Sequence, residues 1–234
     1  MLKLMKLEFT KHHISQYIKG ALIWTFIIFI SVALMAWGSR NEVEPMFPDY
    51  PAFMSLANIF IKVVFITFSA VVLSRLVIDE YKNKTILLLF AYPLQRKKLI
   101  QAKLLIVLLF CFLSIIISTL IINLLVYWIS PHLFLFEEPV QAGEMLATAP
   151  SVLIQALMAA GVSLIPLFFG MRKKSTATTI TWAVIIGVLI NATVSDGGSQ
   201  VSLSEIIIIP GILCLFGLFI GYLSFRKINK LDVV

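Results

Sequence analysis

Charged residues are scarce in this chain of 234 residues, because Asp, Glu, Lys and Arg together make up 13% of it. Soluble domains usually carry about 25%. Hydrophobic residues make up 60%, and the mean hydropathy is +0.99. A water-soluble core could not bury so much apolar surface, so we expect lipid to surround most of the chain. The net charge of +7 does not indicate nucleic-acid binding, because the basic residues lie in short stretches between long apolar runs.

The sequence also lacks the motifs of common catalytic and nucleotide-binding sites. It contains no Gly-x-Ser-x-Gly, no His-Glu-x-x-His and no Gly-x-x-x-x-Gly-Lys-Ser/Thr phosphate loop. Cys111 and Cys214 each lie in an apolar run, where cysteine behaves as a small hydrophobe. His12 and His13, with Glu8 nearby, point in different directions on a helix, so we expect solvated surface there rather than a metal site. We therefore predict no enzyme activity, no metal and no directly bound cofactor.

Six apolar stretches approach the length of about 20 residues that a helix needs to cross a bilayer core of about 30 Å. They are Gly20–Trp37, Phe53–Ile78, Leu99–Ile129, Ser151–Gly170, Thr176–Val194 and Glu205–Phe225. We predict an all-α integral membrane protein with a six-span domain over residues 20–225, whose third span projects beyond the membrane. Because acidic residues are nearly absent from these stretches, a carrier coupled to protons or sodium would lack its usual relay groups.

The basic residues predict how these spans are oriented. Of the 19 Lys and Arg residues, 17 fall on one predicted side, and eight of the 12 acids fall on the other. Basic residues resist translocation, so this division places both chain ends in the cytoplasm. Residues 1–19 are weakly amphipathic, and we expect two short helical pieces that lie along the inner membrane surface rather than a cleaved signal peptide. Residues 226–234 form a cytoplasmic tail.

The loop between the second and third spans, residues 79–98, contains an apolar run of its own. Ile86–Ala91 is too short to cross a bilayer. Thr85 can cap the start of a helix, and Pro93 disfavours helical structure at the residue before it. We therefore predict a short apolar helix on the cytoplasmic side, which either lies in the headgroup layer or inserts into a groove of a partner protein.

This arrangement resembles the permease subunit of type-2 ABC exporters, a family that includes bacterial antimicrobial-peptide immunity and drug-efflux transporters. Its members typically have a Glu that closes the second span, an Asn-Gly-Thr-like element, an apolar turn and a Pro-x-x-Arg stretch before the third span. The matching residues in this chain are Glu80, Asn83, Thr85, Leu87–Leu89, Pro93 and Arg96, and Lys103 opens the third span. Lys84 departs from the pattern, because glycine is common at its position.

The resemblance implies that the loop forms a coupling helix seated on a separate ATP-binding subunit, which carries the ATP and Mg²⁺. The residues implied in coupling are Glu80, Asn83, Lys84, Thr85, Ile86, Leu87, Leu88, Leu89, Phe90, Tyr92, Pro93 and Arg96. It also implies pairing with a second copy or a related permease in the bacterial cell membrane. The expected activity is export, or extraction from the membrane, of a hydrophobic or amphipathic peptide, drug or lipid. The alternative is a membrane protein independent of an ATPase, either a small carrier or an accessory subunit that anchors other proteins.

Three polar residues in the spans are candidates for a substrate pathway. Lys62 lies within the second span, where a central lysine costs about 2.5–3.5 kcal/mol on insertion scales. Its side chain either extends outward to the interface or faces a polar cavity, where it would meet an anionic substrate group. Thr178 and Thr181 begin the fifth span, and their hydroxyl groups can also bond to local backbone carbonyls.

Three further residues are predicted to shape helix packing. Gly217 and Gly221 form a Gly-x-x-x-Gly pair that permits close helix contact, either within one subunit or at a dimer seam. Pro166 should kink the fourth span. The outer segment Ser195–Ser204 is expected to form either a small helix or a glycine-containing turn.

Overall fold

The computed structural model describes residues 2–11, 14–39, 47, 49–82, 96–133, 142–196, 199–202 and 208–227. These residues are helical except for turns and one short β-hairpin. In chain order the elements are α1 (Leu2–Lys11), α2 (Ile14–Ser39), α3 (Tyr50–Leu73), a π-helical segment (Ser74–Ile78), α4 (Asp79–Lys82), α5 (Arg96–Leu133), α6 (Ala142–Val162), α7 (Pro166–Lys173), α8 (Thr176–Ile190), β1 (Thr193–Asp196), β2 (Ser199–Ser202) and α9 (Ile208–Lys227).

Four helical stretches are long and apolar enough to cross a membrane. They are Ile14–Ser39, Tyr50–Lys82, Lys98–Ser130 and Thr148–Lys173. Two shorter apolar helices, Thr176–Ile190 and Ile208–Ser224, occupy the positions of the predicted fifth and sixth spans. With 38 residues, α5 is about 57 Å long, which exceeds the bilayer core of about 30 Å. The helical membrane architecture is thus confirmed, whereas the count of six spans and their orientation stay predictions.

Two predicted segments end differently in the structure. The first long helix begins at Ile14, so residues 14–19 continue into it and are not a separate interfacial piece. The predicted fifth span was too long, because α8 ends at Ile190 and residues 193–194 belong to β1. β1 pairs antiparallel with β2, so the described part of residues 195–204 forms β-strands rather than a small helix. Hydrophobic length does not report strand pairing, although Gly-Gly between two strands is a hairpin signal.

The helix α3 occupies the centre of the packing, where it contacts α2, α5 and α8. Phe53, Ala57, Ile61 and Phe65, spaced four residues apart along one stripe of α3, are completely buried. By contrast α2 exposes large apolar side chains on one face, which suits contact with lipid. The helix α3 is therefore the central helix of the bundle.

The helices α6 and α9 approach each other closely through glycines. A Cβ atom at Gly217 would lie 2.1 Å from the carbonyl oxygen of Gly161, and one at Gly161 would lie 2.3 Å from the Sγ atom of Cys214. A Cβ atom at Gly221 would lie 3.3 Å from Leu164. The two backbones are thus in direct contact at Gly217, and Gly221 lies against Leu164 in the turn that follows α6 of the same chain.

The helix that contains Pro166 is interrupted just before this residue. The N–H groups of Leu164 and Ile165 donate to carbonyls three residues back, at 3.2 and 2.9 Å, so the chain tightens there. Proline has no N–H group to continue the helical bonding, and α7 starts afresh at Pro166. This break separates α6 from α7 at the position where a kink was predicted.

The glycine contact between α6 and α9 predicts that alanine at position 217 destabilises the protein, whereas alanine at position 143 does not. Gly217→Ala should lower the free energy of unfolding by about 1–3 kcal/mol, because the added methyl group overpacks a backbone contact. Gly143→Ala is the matched control, since a Cβ atom at Gly143 would have no neighbour within 4 Å. Unfolding of the purified chain in detergent measures both changes. Equal effects of the two variants would show that the backbones are not in contact.

Candidate functional site

Four charged side chains meet where α1, α4 and α5 converge. Lys103 is 1% exposed, and Glu8 and Glu80 are 6% exposed each. The Nζ atom of Lys103 forms an ion pair with Oε2 of Glu80, lies 3.5 Å from Oε2 of Glu8 and donates a 2.9 Å hydrogen bond to the carbonyl of Leu76. The Nζ atom of Lys11 donates to the other Glu80 oxygen at 3.1 Å. Glu8, Lys11, Glu80 and Lys103 are called the charge cluster below.

The charge cluster is formally neutral, with two cations and two carboxylates, and this balance makes its burial tolerable. A charge taken out of water costs several kcal/mol unless opposite charges and hydrogen bonds compensate it. The Lys103 ammonium group meets two carboxylates and one carbonyl oxygen, whereas the side chain of Lys11 is 49% exposed and contributes less. Lys103 and Glu80 therefore form the centre of the cluster.

The π-helical segment Ser74–Ile78 places Glu80 and the Leu76 carbonyl beside α5. The N–H group of Asp79 donates to the carbonyl of Ser74, five residues back, so this turn is wider than an α-helical turn. The segment is packed inside the protein, with only Arg75 exposed. Leu76 belongs to it, and its carbonyl accepts from Lys103. Single π turns inside α-helices occur frequently at functional sites.

Two residues of the charge cluster, Glu80 and Lys103, lie near the two ends of the 79–98 loop. Glu80 precedes the first residue outside the described part of the chain by three positions, and Lys103 lies about two turns after the start of α5 at Arg96. The Glu80–Lys103 ion pair therefore joins the two stems from which the loop emerges. Through Glu8 and Lys11, α1 is attached to the same point.

Of the twelve residues implied in coupling, the structure places Glu80 in the charge cluster and Arg96 at the first position of α5. The remaining ten lie outside the described residues: Asn83, Lys84, Thr85, Ile86, Leu87, Leu88, Leu89, Phe90, Tyr92 and Pro93. Their assignment to a coupling helix stays a prediction.

The three candidates for a substrate pathway lie on two helices, Lys62 on α3 and both threonines, Thr178 and Thr181, on α8. Lys62 is 8% exposed and lines a cavity of about 20 Å³ with Gln155, room for about one water molecule. Thr181 is exposed, and its hydroxyl group donates to the carbonyls of Ala177 and Thr178 at 2.9 and 3.0 Å. The Thr181 hydroxyl therefore binds local backbone, whereas Lys62 packs between helices.

The prediction that Glu8 is solvated was wrong, because its side chain is buried beside Lys103. His12 and His13 lie outside the described residues. The sequence does indicate that Lys103 has a partner, because a lysine inside an apolar helix requires one. No motif or spacing connects it with Glu8, because the two are far apart in the sequence. Within the described ranges, no group of His, Cys, Asp or Glu residues is placed to hold a metal ion.

Comparison with known proteins indicates that this chain is a membrane transport protein. The family model described as "ABC-2 family transporter protein" matches residues 4–191, which include the whole charge cluster. The chain is 36% identical over 231 residues to the uncharacterized protein YcbO of Bacillus subtilis (strain 168), a match that covers 99% of this chain and 100% of that protein. No solved structure matches the chain significantly.

The charge cluster predicts that Lys103 contributes strongly to stability. Lys103→Met leaves two carboxylates in a buried site without their main cation, so the free energy of unfolding should fall by about 3–5 kcal/mol. Lys98→Met is the matched control, because Lys98 lies on the same helix but is exposed, and its change should stay within about 0.5 kcal/mol. Unfolding in detergent measures both. A small effect at Lys103 would contradict the cluster.

Proposed function

The chain belongs to the ABC-2 transporter family, and from this premise we propose that it is the permease subunit of an ATP-driven exporter. A separate ATP-binding subunit would carry ATP and Mg²⁺, since this sequence has no phosphate loop. The apolar spans suit a hydrophobic or amphipathic substrate, such as a peptide, a drug or a lipid. Export, or extraction of the substrate from the membrane of a bacterial cell, is the proposed activity.

The charge cluster is the observation that carries this proposal. If an ATPase subunit grips the 79–98 loop, a movement of the loop displaces Glu80. The buried ion pair with Lys103 passes that displacement to α5, and the contacts of Glu8 and Lys11 pass it to α1. Packed elements joined in this way move as rigid bodies. One movement of the loop would thus shift two long helices and the N-terminal helix together.

The proposed topology has six spans with both chain ends in the cytoplasm. The three elements of the charge cluster then lie together at the cytoplasmic end, where the 17 basic residues concentrate. A second copy, or a related permease, would complete the transport pathway at a symmetric seam. Lys62, Thr178 and Thr181 remain the proposed residues of that pathway, with Lys62 the buried one.

The coupling role of the loop predicts the result of a co-purification experiment. The wild-type chain should co-purify with a Mg²⁺-dependent ATPase, and Leu88→Asp should abolish this association, because a charge enters the apolar face of the coupling helix. Leu7→Asp is the control, since Leu7 is 66% exposed on α1. Membrane insertion of each variant is checked by extraction with alkali. An intact complex with Leu88→Asp would refute the coupling helix, and a wild-type chain without any ATPase would favour the accessory-protein alternative.

The proposed orientation predicts where a reporter is active. Green fluorescent protein fused after Val234 should fluoresce, and alkaline phosphatase fused there should be inactive, because the distribution of Lys and Arg keeps this end in the cytoplasm. The opposite pattern is expected for fusions inserted between β1 and β2. An active phosphatase after Val234 would refute the map.

A further inference from the structure

Two apolar grooves flank the C-terminal half of α9. The groove between α9 and α5 has a volume of about 380 Å³, and its lining includes no charged residue. The groove between α9 and α7 has a volume of about 290 Å³, and it includes an arginine. We refer to the second as the arginine groove. The residues that define it are Phe168, Met171, Arg172, Ile220, Leu223 and Ser224.

The arginine groove is polar at one end and apolar along its length. Arg172 and Ser224 lie near the C-terminal ends of α7 and α9. Phe168 and Ile220 lie one helical turn before them, which is about 6 Å deeper along each helix. This order of a polar end followed by an apolar trough matches an amphiphile that lies parallel to the helices.

The side chains at the polar end of the groove can bind an anion. No ion pair between described residues involves Arg172, whose exposed guanidinium group offers a fork of N–H donors to phosphate oxygens. The Ser224 hydroxyl donates to the Sδ atom of Met171 at 3.2 Å. A thioether is a weak acceptor, so a phosphate oxygen would be a better partner for this hydroxyl group.

Basic residues concentrate around this end of the groove. Lys173 and Lys174 follow Arg172 directly and are exposed, and positions 226 and 227 at the end of α9 are also basic. The lining contains no Asp or Glu. Basic pockets between membrane helices favour anionic lipid headgroups.

We propose that the arginine groove is a binding site for an anionic phospholipid, with the phosphate at Arg172 and Ser224 and part of one acyl chain between α7 and α9. The proposal requires only that the protein lies in a membrane, so it stands apart from coupling to an ATPase. A lipid in this position would fill the seam between α9 and the helix that follows the Pro166 break.

Native mass spectrometry of the delipidated chain, titrated with dioleoyl-phosphatidylglycerol, tests the proposal. Dioleoyl-phosphatidylcholine has the same chains without net charge, so it should bind about tenfold more weakly. Arg172→Gln should weaken binding of phosphatidylglycerol about tenfold. Lys173→Gln removes the same charge from the neighbouring position outside the groove, and its effect should be less than about twofold.

A second pair of variants tests the apolar part of the site. Leu223→Trp fills the arginine groove and should abolish retention of phosphatidylglycerol, whereas Leu218→Trp enters the other groove and should not. Thermal unfolding of each variant separates misfolding from loss of the site.

Three results would overturn the proposal. The first is equal binding of the two lipids, and the second is equal loss of binding in Arg172→Gln and Lys173→Gln. The third is displacement of the lipid by millimolar inorganic phosphate, which would identify a free-anion site. A wild-type dimer that binds neither lipid would also overturn it and would favour a second copy as the occupant of the groove.

Discussion

The ammonium group of Lys103 is buried where three helical elements meet, and its charge is tolerated there because two carboxylates and a backbone carbonyl face it. These partners come from two separate places in the chain. Glu8 brings the N-terminal helix, and Glu80 and Leu76 bring the end of the second long helix and its π turn. Because an unpaired buried charge costs several kcal/mol, these elements stay together or separate together. The base of the 79–98 loop is thus an electrostatic junction as well as a packing contact.

Hydrophobic length predicted much of the fold, because the requirement for about 20 apolar residues is a property of the bilayer. Hydrophobic length did not predict that α8 ends at Ile190, because the strands that follow depend on pairing between β1 and β2. The resemblance pointed to Glu80, but no sequence pattern identified Glu8. Its interaction with Lys103 is tertiary, and a polar N-terminal segment with neighbouring histidines resembles ordinary solvated surface.

The charge cluster and Arg172 use charge in opposite ways. In the charge cluster, opposite charges neutralise one another and hold helices together away from water. At Arg172 the charge is exposed at the end of an apolar groove, and no ion pair between described residues includes it, so an external anion is its proposed partner. Gly217 keeps α9 in contact with α6, whereas after the interruption before Pro166 a groove lies between α9 and α7. The result is a tight seam at one level and an open groove at the next.

A double-mutant cycle between Lys103 and Glu80 tests most directly whether this junction is a single cooperative unit. The quantity to measure is the free energy of unfolding of the purified chain in detergent for Lys103→Met, Glu80→Leu and the double variant. Removal of Lys103 leaves the buried carboxylates of Glu8 and Glu80 without their main cation, and removal of Glu80 takes from Lys103 one of its two carboxylates. The double variant leaves only the carboxylate of Glu8 without that cation. The account predicts that the double variant is less destabilised than the sum of the single variants, by about 1.5–3 kcal/mol. Additive effects, within about 0.5 kcal/mol, would contradict it.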